Sequence, residues 1–130
     1  MKNQIVLPHD HGTRLPSLVA DLPDEITFIR MSDTFQLISD STRLKILWLL
    51  CHSEDCVTNI AAALSMSSPA ISHHLRILKQ AGLLVSKRHG KEVHYTLAKT
   101  EGAELVHRIV DATFEMNCSE TCYNPHNNTL

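Results

Sequence analysis

The sequence predicts a mostly α-helical protein with one small β-hairpin, in the element order α-α-α-α-β-β-α. Apolar residues recur at helical spacing in four successive segments, two short strand-like runs then flank a glycine, and a final amphipathic segment follows. This order of elements is that of a winged helix-turn-helix, with the hairpin as the wing. The 130 residues are enough to bury the core of one such domain.

Five helices are predicted in the body of the chain. The first begins near Asp24, and the second, 41–50, is apolar on nearly all sides and is therefore expected to be the central buried helix. A short helix follows near 57–64. After a turn the next helix covers 68–80, with serines to cap its start and a glycine to end it. The last helix, 101–116, has separate apolar and charged faces.

The hairpin and the chain ends complete the predicted organisation. Strand-like runs at 83–88 and 92–97 flank a turn whose glycine can adopt a positive φ. The proline-containing residues 1–23 are predicted to form an irregular N-terminal arm, residues 24–116 the compact body, and residues 117–130 a loose polar tail.

The composition narrows the class of protein. With 43% hydrophobic and 20% charged residues the chain is typical of globular proteins, and no apolar run approaches the ~20 residues that cross a bilayer. The start of the sequence lacks the apolar stretch of a signal peptide, so we expect a cytoplasmic protein without a membrane partner, whose four cysteines are thiols or metal ligands. The sequence has no catalytic motif, so we do not expect an enzyme.

Positive charge is concentrated in one part of the chain. Residues 68–95 contain five Lys or Arg and one Asp or Glu, although the formal net charge of the whole chain is −2. Such a basic block is typical of a surface that neutralises DNA phosphates. Because the second helix of a helix-turn-helix enters the major groove, we predict DNA contacts from 68–80 and from the hairpin. The candidate residues are Ser67, Ser68, Pro69, Ser72, His73, His74, Arg76, Lys79, Lys87, Arg88 and Lys91.

Three segments carry a resemblance to a known family. They read DSTRLKIL from Asp40, SPAISHHLRILKQAGL from Ser68 and GKEVHYTL from Gly90. They resemble the ArsR/SmtB family of bacterial metal-sensing repressors, and the resemblance covers about 24–116. It implies a homodimer, paired through its first and last helices, that binds a palindromic operator in double-stranded DNA and releases it when an inducer binds. The two recognition helices would then lie about 34 Å apart, one turn of DNA.

The resemblance also implies a metal site, whose position differs among members of the family. One such site lies at the start of the third predicted helix and is completed by ligands from the arm of the partner subunit. Here it would use His9, His11 and Cys56, with Cys51 and His52 nearby, while Thr58 stands where the family has a second cysteine. Thiolate and imidazole ligands suit Zn²⁺ or Cd²⁺ in tetrahedral geometry, and we expect such an ion as the inducer.

Two other places offer metal ligands. His107 has Glu104 one turn before it and Asp111 one turn after it, so the three side chains could share a helix face. In the tail, Cys118 and Cys122 could chelate a soft metal or form a reversible disulfide.

Two alternative functions stay open at this point. A repressor with the same fold could respond to oxidants or sulfur species through Cys118 and Cys122, or through Cys51 and Cys56. A winged helix could also bind another protein and no DNA.

Overall fold

The computed structural model describes residues 5–114, and this range contains six α-helices and three short β-strands. In chain order they are α1 (Leu15–Ala20), α2 (Glu25–Ile38), α3 (Ser41–His52), β1 (Asp55–Cys56), α4 (Val57–Leu64), α5 (Ser68–Gln80), β2 (Leu84–His89), β3 (Glu92–Leu97) and α6 (Glu101–Thr113). This order confirms the predicted winged helix-turn-helix. Within residues 5–114, no helix is long and apolar enough to cross a membrane.

The chain divides into two compact units, residues 1–35 and residues 36–130, and the division falls within α2. The first unit contains α1, which lies inside the predicted irregular arm. The expectation of an entirely irregular arm is therefore wrong for Leu15–Ala20. Pro16 lies in the first turn of α1, where an N–H has no partner within the helix, so proline is compatible with a helix there.

Helix α3 is the central helix of the second unit. Its start is capped by Asp40, whose Oδ2 accepts a hydrogen bond from the backbone N–H of Arg43 at 2.9 Å. This bond holds the pKa of the Asp40 carboxyl below its usual range. The buried side chains of α3 are Ile46, Leu47, Leu50 and Cys51. Trp48 and Leu49 are only partly buried, so α3 is enclosed on one side and not on nearly all sides as predicted.

Helices α4 and α5 form the helix-turn-helix. The turn begins at Ser65, which adopts a left-handed conformation with a φ of 54°. The backbone N–H of Met66 donates to the carbonyl of Ala61 at 2.9 Å. Ser67 then caps α5, because its hydroxyl oxygen accepts from the N–H of Ala70 at 3.3 Å. The cap of α5 is therefore Ser67, and the other serine predicted as a possible cap, Ser68, is the first residue of the helix.

The three strands form an antiparallel sheet in the order β1-β3-β2. Strands β2 and β3 form the predicted hairpin, with Leu84 opposite Leu97 at its base and a turn at Gly90, whose φ is +63°. Strand β1 has two residues, and Asp55 pairs with Tyr95. Strand β1 was not predicted, because two residues are too few to show an alternating pattern.

Helix α6 packs its apolar face into the core. Ala103, Val106 and Val110 are buried. Thr100 caps the helix by accepting from the N–H of Ala103 at 3.1 Å, and its hydroxyl donates to the carbonyl of Gly82 at 2.8 Å. The last residues of the predicted helix 101–116 and the predicted tail, with Cys118 and Cys122, lie outside the described residues.

Candidate nucleic-acid interface and metal-ligand clusters

Helix α5 presents one polar row outward because its opposite face is fixed in the core. Ile71, Leu75 and Leu78 have no measurable exposure, so the rotation of the helix about its axis is set by apolar burial. The side chains left on the exposed side include four of the predicted DNA-contacting residues. They are Ser68, His73, Arg76 and Lys79.

The beginning of α5 is also accessible. Ser67, Ser68 and Pro69 are exposed, and Ser72 is partly buried one turn further on. Small side chains at this position allow a duplex to approach the helix N-terminus, where backbone N–H groups favour a phosphate. The structure therefore brings the predicted serines to the end of α5 that a helix-turn-helix inserts first.

His74 lies apart from this outward row. It is partly buried, and its Nδ1 accepts a hydrogen bond from Nε of Arg43 at 3.4 Å. The same guanidinium donates through Nη1 to the carbonyl of Leu37 at 3.2 Å. His74 therefore connects α5 to α3, which favours a packing role over the DNA contact that the sequence analysis predicted.

The wing carries the remaining basic side chains. Lys87, Arg88 and Lys91 are all exposed, and Nε of Arg88 donates to the carbonyl of Gly90 at 3.2 Å across the turn. The wing is connected to α5 by Lys79, whose Nζ donates to the hydroxyl of Ser86 at 2.6 Å. The exposed basic side chains of α5 and of the wing are thus linked by a side-chain hydrogen bond, and together we call them the basic surface.

Two groups of three metal-ligating side chains are brought together within residues 5–114. We call the first the α3–α6 cluster; it consists of His52, His107 and Asp111. Nε2 of His107 lies 3.3 Å from Oδ2 of Asp111, and Nε2 of His52 lies 3.6 Å from Oδ1 of the same carboxylate. The structure therefore joins two of the three predicted residues of α6, His107 and Asp111, to a histidine at the end of α3.

His52 has an unusual hydrogen-bonding state. Its Nδ1 lies 2.5 Å from the carbonyl oxygen of Trp48, one turn earlier in α3, and its ring meets the Trp48 indole edge-on at 4.9 Å between centroids. Its Nε2 is buried and has no hydrogen-bond partner. Because a carbonyl can only accept, Nδ1 carries a proton in this contact, and Nε2 faces the Asp111 carboxylate.

The two described cysteines are buried thiols. Burial, together with the nearby Asp111 carboxylate, raises the pKa of the Cys51 thiol to about 12. A thiol with such a pKa is poorly reactive near neutral pH. Cys56 is 7% exposed, and its backbone N–H donates to Oδ1 of Asp55 at 2.8 Å.

We call the second group the wing cluster; it consists of Glu54, His89 and His94. Nε2 of His89 lies 2.8 Å from Oε1 of Glu54, and Nδ1 of His94 lies 3.9 Å from the same oxygen. The other nitrogen of His94 contacts the carboxylate of Glu92 at 3.0 Å. Each histidine ring therefore has a carboxylate partner: Glu54 lies just before β1, and Glu92 lies on the hairpin.

The arm ligands predicted from the sequence fall in different units. His9 and His11 belong to the first unit, where their rings stack with centroids 5.8 Å apart. Cys56 belongs to the second unit and is in neither three-ligand cluster of residues 5–114. The arm site remains a prediction.

Three residues of the two clusters were not selected from the sequence as candidate ligands, Glu54, His89 and His94, and His52 was predicted only to lie near the arm site. For His52 the available signal was its position at the end of a helix beside Cys51. For His89 and His94 it was their place on adjacent runs of one hairpin. Neither signal indicates which side chains meet until the pairing of the elements is known.

These features define a winged helix-turn-helix whose second helix and wing are both basic on the outside. The family model described as "Bacterial regulatory protein, arsR family" matches residues 40–86, from the cap of α3 into β2. The HTH-type transcriptional repressor SmtB of Mycobacterium tuberculosis is 33% identical over 105 residues, which is 81% of this chain and 75% of the relative. The chain belongs to the arsR family of bacterial regulatory proteins.

Two further relatives match over shorter stretches. A transcriptional repressor SmtB homolog of Synechocystis is 35% identical over 82 residues, which is 63% of this chain and 62% of the relative. The arsenical resistance operon repressor of Escherichia coli K12 is 40% identical over 74 residues, which is 56% of this chain and 63% of the relative. The chain thus spans a little under two thirds of the length of these two proteins.

Solved structures share the fold. Reduced HlyU from Vibrio cholerae matches with a TM-score of 0.63 and 25% identity, over 71% of this chain and 96% of that one. The homodimeric winged helix-turn-helix DNA-binding domain Mb0332 of Mycobacterium bovis matches with a TM-score of 0.61 and 27% identity, over 72% of this chain and 89% of that one.

Proposed function

We propose that this protein is a homodimeric transcriptional repressor that binds operator DNA through α5 and the wing and is released from DNA by a metal ion. The observation that carries the proposal is the basic surface formed by the exposed Lys and Arg side chains of α5 and the wing. Its row on α5 is turned outward by a fully buried apolar stripe, and Lys79 holds the wing to it through Ser86. The proteins named as relatives are repressors, which supports the same function.

On DNA, the N-terminal end of α5 would lie in the major groove. Ser68 and Ser72 would approach base edges and phosphates there, while Arg76 and Lys79, further along the helix, would contact the backbone. The wing would place Lys87 and Lys91 against a neighbouring stretch of backbone or minor groove. Most of the binding free energy would come from phosphate neutralisation, so affinity should fall steeply with salt.

Dimerisation is supported by apolar surface that a lone chain leaves exposed. On α2 the side chains of Ile26, Phe28, Ile29 and Phe35 are each between 45% and 59% exposed. In the second unit, a cavity of about 680 Å³ is lined by side chains of α3, α4 and the residue that follows α6. Apolar patches of this kind are typical of interfaces between subunits. The Mycobacterium bovis domain is described as homodimeric, which favours a second copy of this chain as the partner.

The inducer is proposed to be a metal ion because one relative is named for arsenical resistance and this chain offers His, Cys and Asp ligands. A metal releases DNA only if it binds more tightly to the conformation with low DNA affinity. The predicted arm ligands His9, His11 and Cys56 remain candidates, as do the tail cysteines. Zn²⁺ and Cd²⁺ are the ions that a mixed imidazole and thiolate set suits best.

A response to oxidants is the second candidate function, because one structural neighbour is described as reduced HlyU. This version needs a reactive thiolate. Cys51 does not fit, since it is 1% exposed and its pKa is raised to about 12. A response to oxidants would therefore depend on Cys56, Cys118 or Cys122.

The test of DNA binding uses a duplex that the protein itself selects from a random-sequence pool. Fluorescence anisotropy at several salt concentrations measures affinity for the wild-type chain and for Arg76→Glu/Lys91→Glu. We expect a steep negative salt slope for the wild type and a loss of at least about 100-fold in the variant, since two phosphate contacts become repulsive. Lys99→Glu, an exposed reversal outside the basic surface, is the control. Equal affinity of the double variant and the control would contradict the proposal, as would a monomeric mass at working concentration.

A further inference from the structure

We propose that the α3–α6 cluster is a binding site for a divalent cation of the Zn²⁺ class, held by His52, His107 and Asp111 within one subunit. The regulatory consequence of this site rests on the proposed function, but metal binding itself does not. The site differs from the predicted arm site because its ligands come from two helices of the same unit.

The spacing of the ligand atoms suits a small cation. Two ligands 2.0–2.1 Å from a tetrahedral Zn²⁺ lie about 3.3 Å from each other. Nε2 of His107 is 3.3 Å from one Asp111 oxygen, and Nε2 of His52 is 3.6 Å from the other. Ligand atoms of all three side chains lie within 4.8 Å of one another, which is close enough for the three to share one ion.

The state of His52 is the independent observation that indicates a ligand. Nδ1 is engaged by the Trp48 carbonyl, which is how histidine ligands of metals are usually oriented by an outer partner. This bond orients the ring so that Nε2, which is buried and lacks a hydrogen-bond partner, faces Asp111. A buried polar atom of that kind costs free energy unless something binds it. A cation at this point would satisfy it and be neutralised in part by Asp111.

The chemical types of the three ligands favour some metals over others. Two imidazole nitrogens and one carboxylate oxygen suit Zn²⁺, Co²⁺ or Ni²⁺, whereas soft ions such as Cd²⁺ and arsenite prefer thiolates. Three protein ligands also leave a fourth position for water. We therefore infer that Zn²⁺ binds here in preference to Cd²⁺.

Helix α3 connects this site to the recognition helix. His52 lies at the C-terminal end of α3, and Arg43 in its first turn donates to His74 of α5 at 3.4 Å. A metal that fixes α3 against α6 therefore acts on an element in direct contact with α5. The regulatory part of the proposal is that Zn²⁺ bound at the α3–α6 cluster lowers operator affinity.

The test begins with metal binding by the full chain in its apo state. Zn²⁺ affinity is measured by competition with a chromophoric chelator for the wild type, His52→Gln and Asp111→Asn. Because Trp48 is the single tryptophan and its ring contacts His52, quenching of its fluorescence by Co²⁺ reports occupancy of this site directly. His94→Gln, which removes a histidine of the wing cluster, is the matched control.

We expect both cluster variants to lose more Zn²⁺ affinity than the roughly 10- to 100-fold that removal of an outer partner costs. They should also lose Co²⁺ quenching, and His94→Gln should keep both. Unchanged melting temperatures of the apo variants confirm that the loss is not a folding defect; if His52→Gln unfolds, Asp111→Asn and His107→Gln carry the test. Unchanged Zn²⁺ affinity and quenching in the folded cluster variants would overturn the site.

The effect of Zn²⁺ on DNA affinity is measured separately, with operator DNA. Apo wild type and apo His52→Gln should bind the selected duplex equally, and Zn²⁺ should weaken only the wild type. Zn²⁺ binding that leaves operator affinity unchanged would overturn the regulatory part and retain the site. An apo wild type without salt-dependent DNA binding would instead overturn the proposed function, whatever the metal result.

Discussion

The α3–α6 cluster and the wing cluster contain the same side-chain types, two histidines and one carboxylate, but their histidine nitrogens have different surroundings. In the wing cluster, Nε2 of His89 lies 2.8 Å from Glu54, and the ring is 47% exposed. In the α3–α6 cluster, the His52 side chain is 12% exposed and its Nε2 has no hydrogen-bond partner. This difference in burial and hydrogen bonding is why we propose a metal site at the α3–α6 cluster and interpret the wing cluster as a surface ion pair.

The two clusters also lie on parts of the fold that differ in how deeply the neighbouring side chains are buried. The α3–α6 cluster lies at the end of a helix whose inner face is fully buried. The wing cluster lies on a hairpin whose outer strand residues are exposed, and this hairpin belongs to the proposed DNA surface. We therefore expect substitutions near the first cluster to affect stability and metal binding, and substitutions near the second to affect DNA binding.

The largest expected effect is on thiol reactivity beside the α3–α6 cluster. A pKa of about 12 for Cys51 lowers its thiolate fraction near neutral pH roughly 1,000-fold below that of an ordinary thiol, and burial adds to the protection. Alkylation by iodoacetamide, mapped by mass spectrometry, should label Cys51 only after unfolding. Labelling of native protein at the rate of unfolded chain would show that this region opens readily and would weaken the contrast with the wing.

Two side-chain truncations, one on α3 and one on the wing, compare how much packing stabilises the two regions. Leu50→Ala on α3 removes a side chain that is 1% exposed and should lower the free energy of unfolding by about 2–5 kcal/mol. Val93→Ala on the wing removes one that is 38% exposed and should cost less than about 1 kcal/mol. Urea unfolding of both variants measures the difference. Equal losses would mean that the wing is as firmly packed as α3.

DNA binding should respond to substitutions near the wing cluster and not to substitutions in the α3–α6 cluster. Lys87 lies directly opposite His94 in the hairpin, and Lys87→Gln should reduce the salt slope of duplex binding by about one unit, as loss of one phosphate contact does. In the apo protein, His52→Gln should leave that slope unchanged. An equal change of slope in both variants would show that the α3–α6 cluster also lies on the DNA surface.

The smallest effect is expected for Glu54→Gln, which removes the carboxylate shared by His89 and His94. Ion pairs at partly exposed positions contribute less than about 1 kcal/mol and are weakened by salt. Thermal unfolding at low and high salt should therefore reveal a small difference that high salt removes, with Zn²⁺ affinity unaltered. A marked loss of Zn²⁺ affinity would instead identify the wing cluster as a metal site.

Much of the arrangement of α5 and the wing could be predicted from the sequence, because this arrangement depends on local periodicity. The buried stripe Ile71, Leu75 and Leu78 determines which side of α5 faces outward, and a glycine turn determines the hairpin. His74 shows the limit of that reasoning. Periodicity placed it at the edge of the outward row, whereas a hydrogen bond from Arg43, on another helix, directs it inward.

The α3–α6 cluster could be predicted only in part. The spacing of His107 and Asp111 on one helix indicates that they share a face. His52 is fifty-five residues away from His107 in the chain, and its meeting with Asp111 depends on how α3 packs against α6. The same holds for Glu54, whose contact with His89 depends on the pairing of β1 with β3 and of β3 with β2.

The measurement that tests the central claim most directly is the anisotropy of the selected duplex, titrated with this protein in the presence and absence of Zn²⁺. The account predicts tight, salt-dependent binding by the apo wild type, release on addition of Zn²⁺, and retention by His52→Gln under the same conditions. Release of DNA from His52→Gln at the same Zn²⁺ concentration as from the wild type would contradict it.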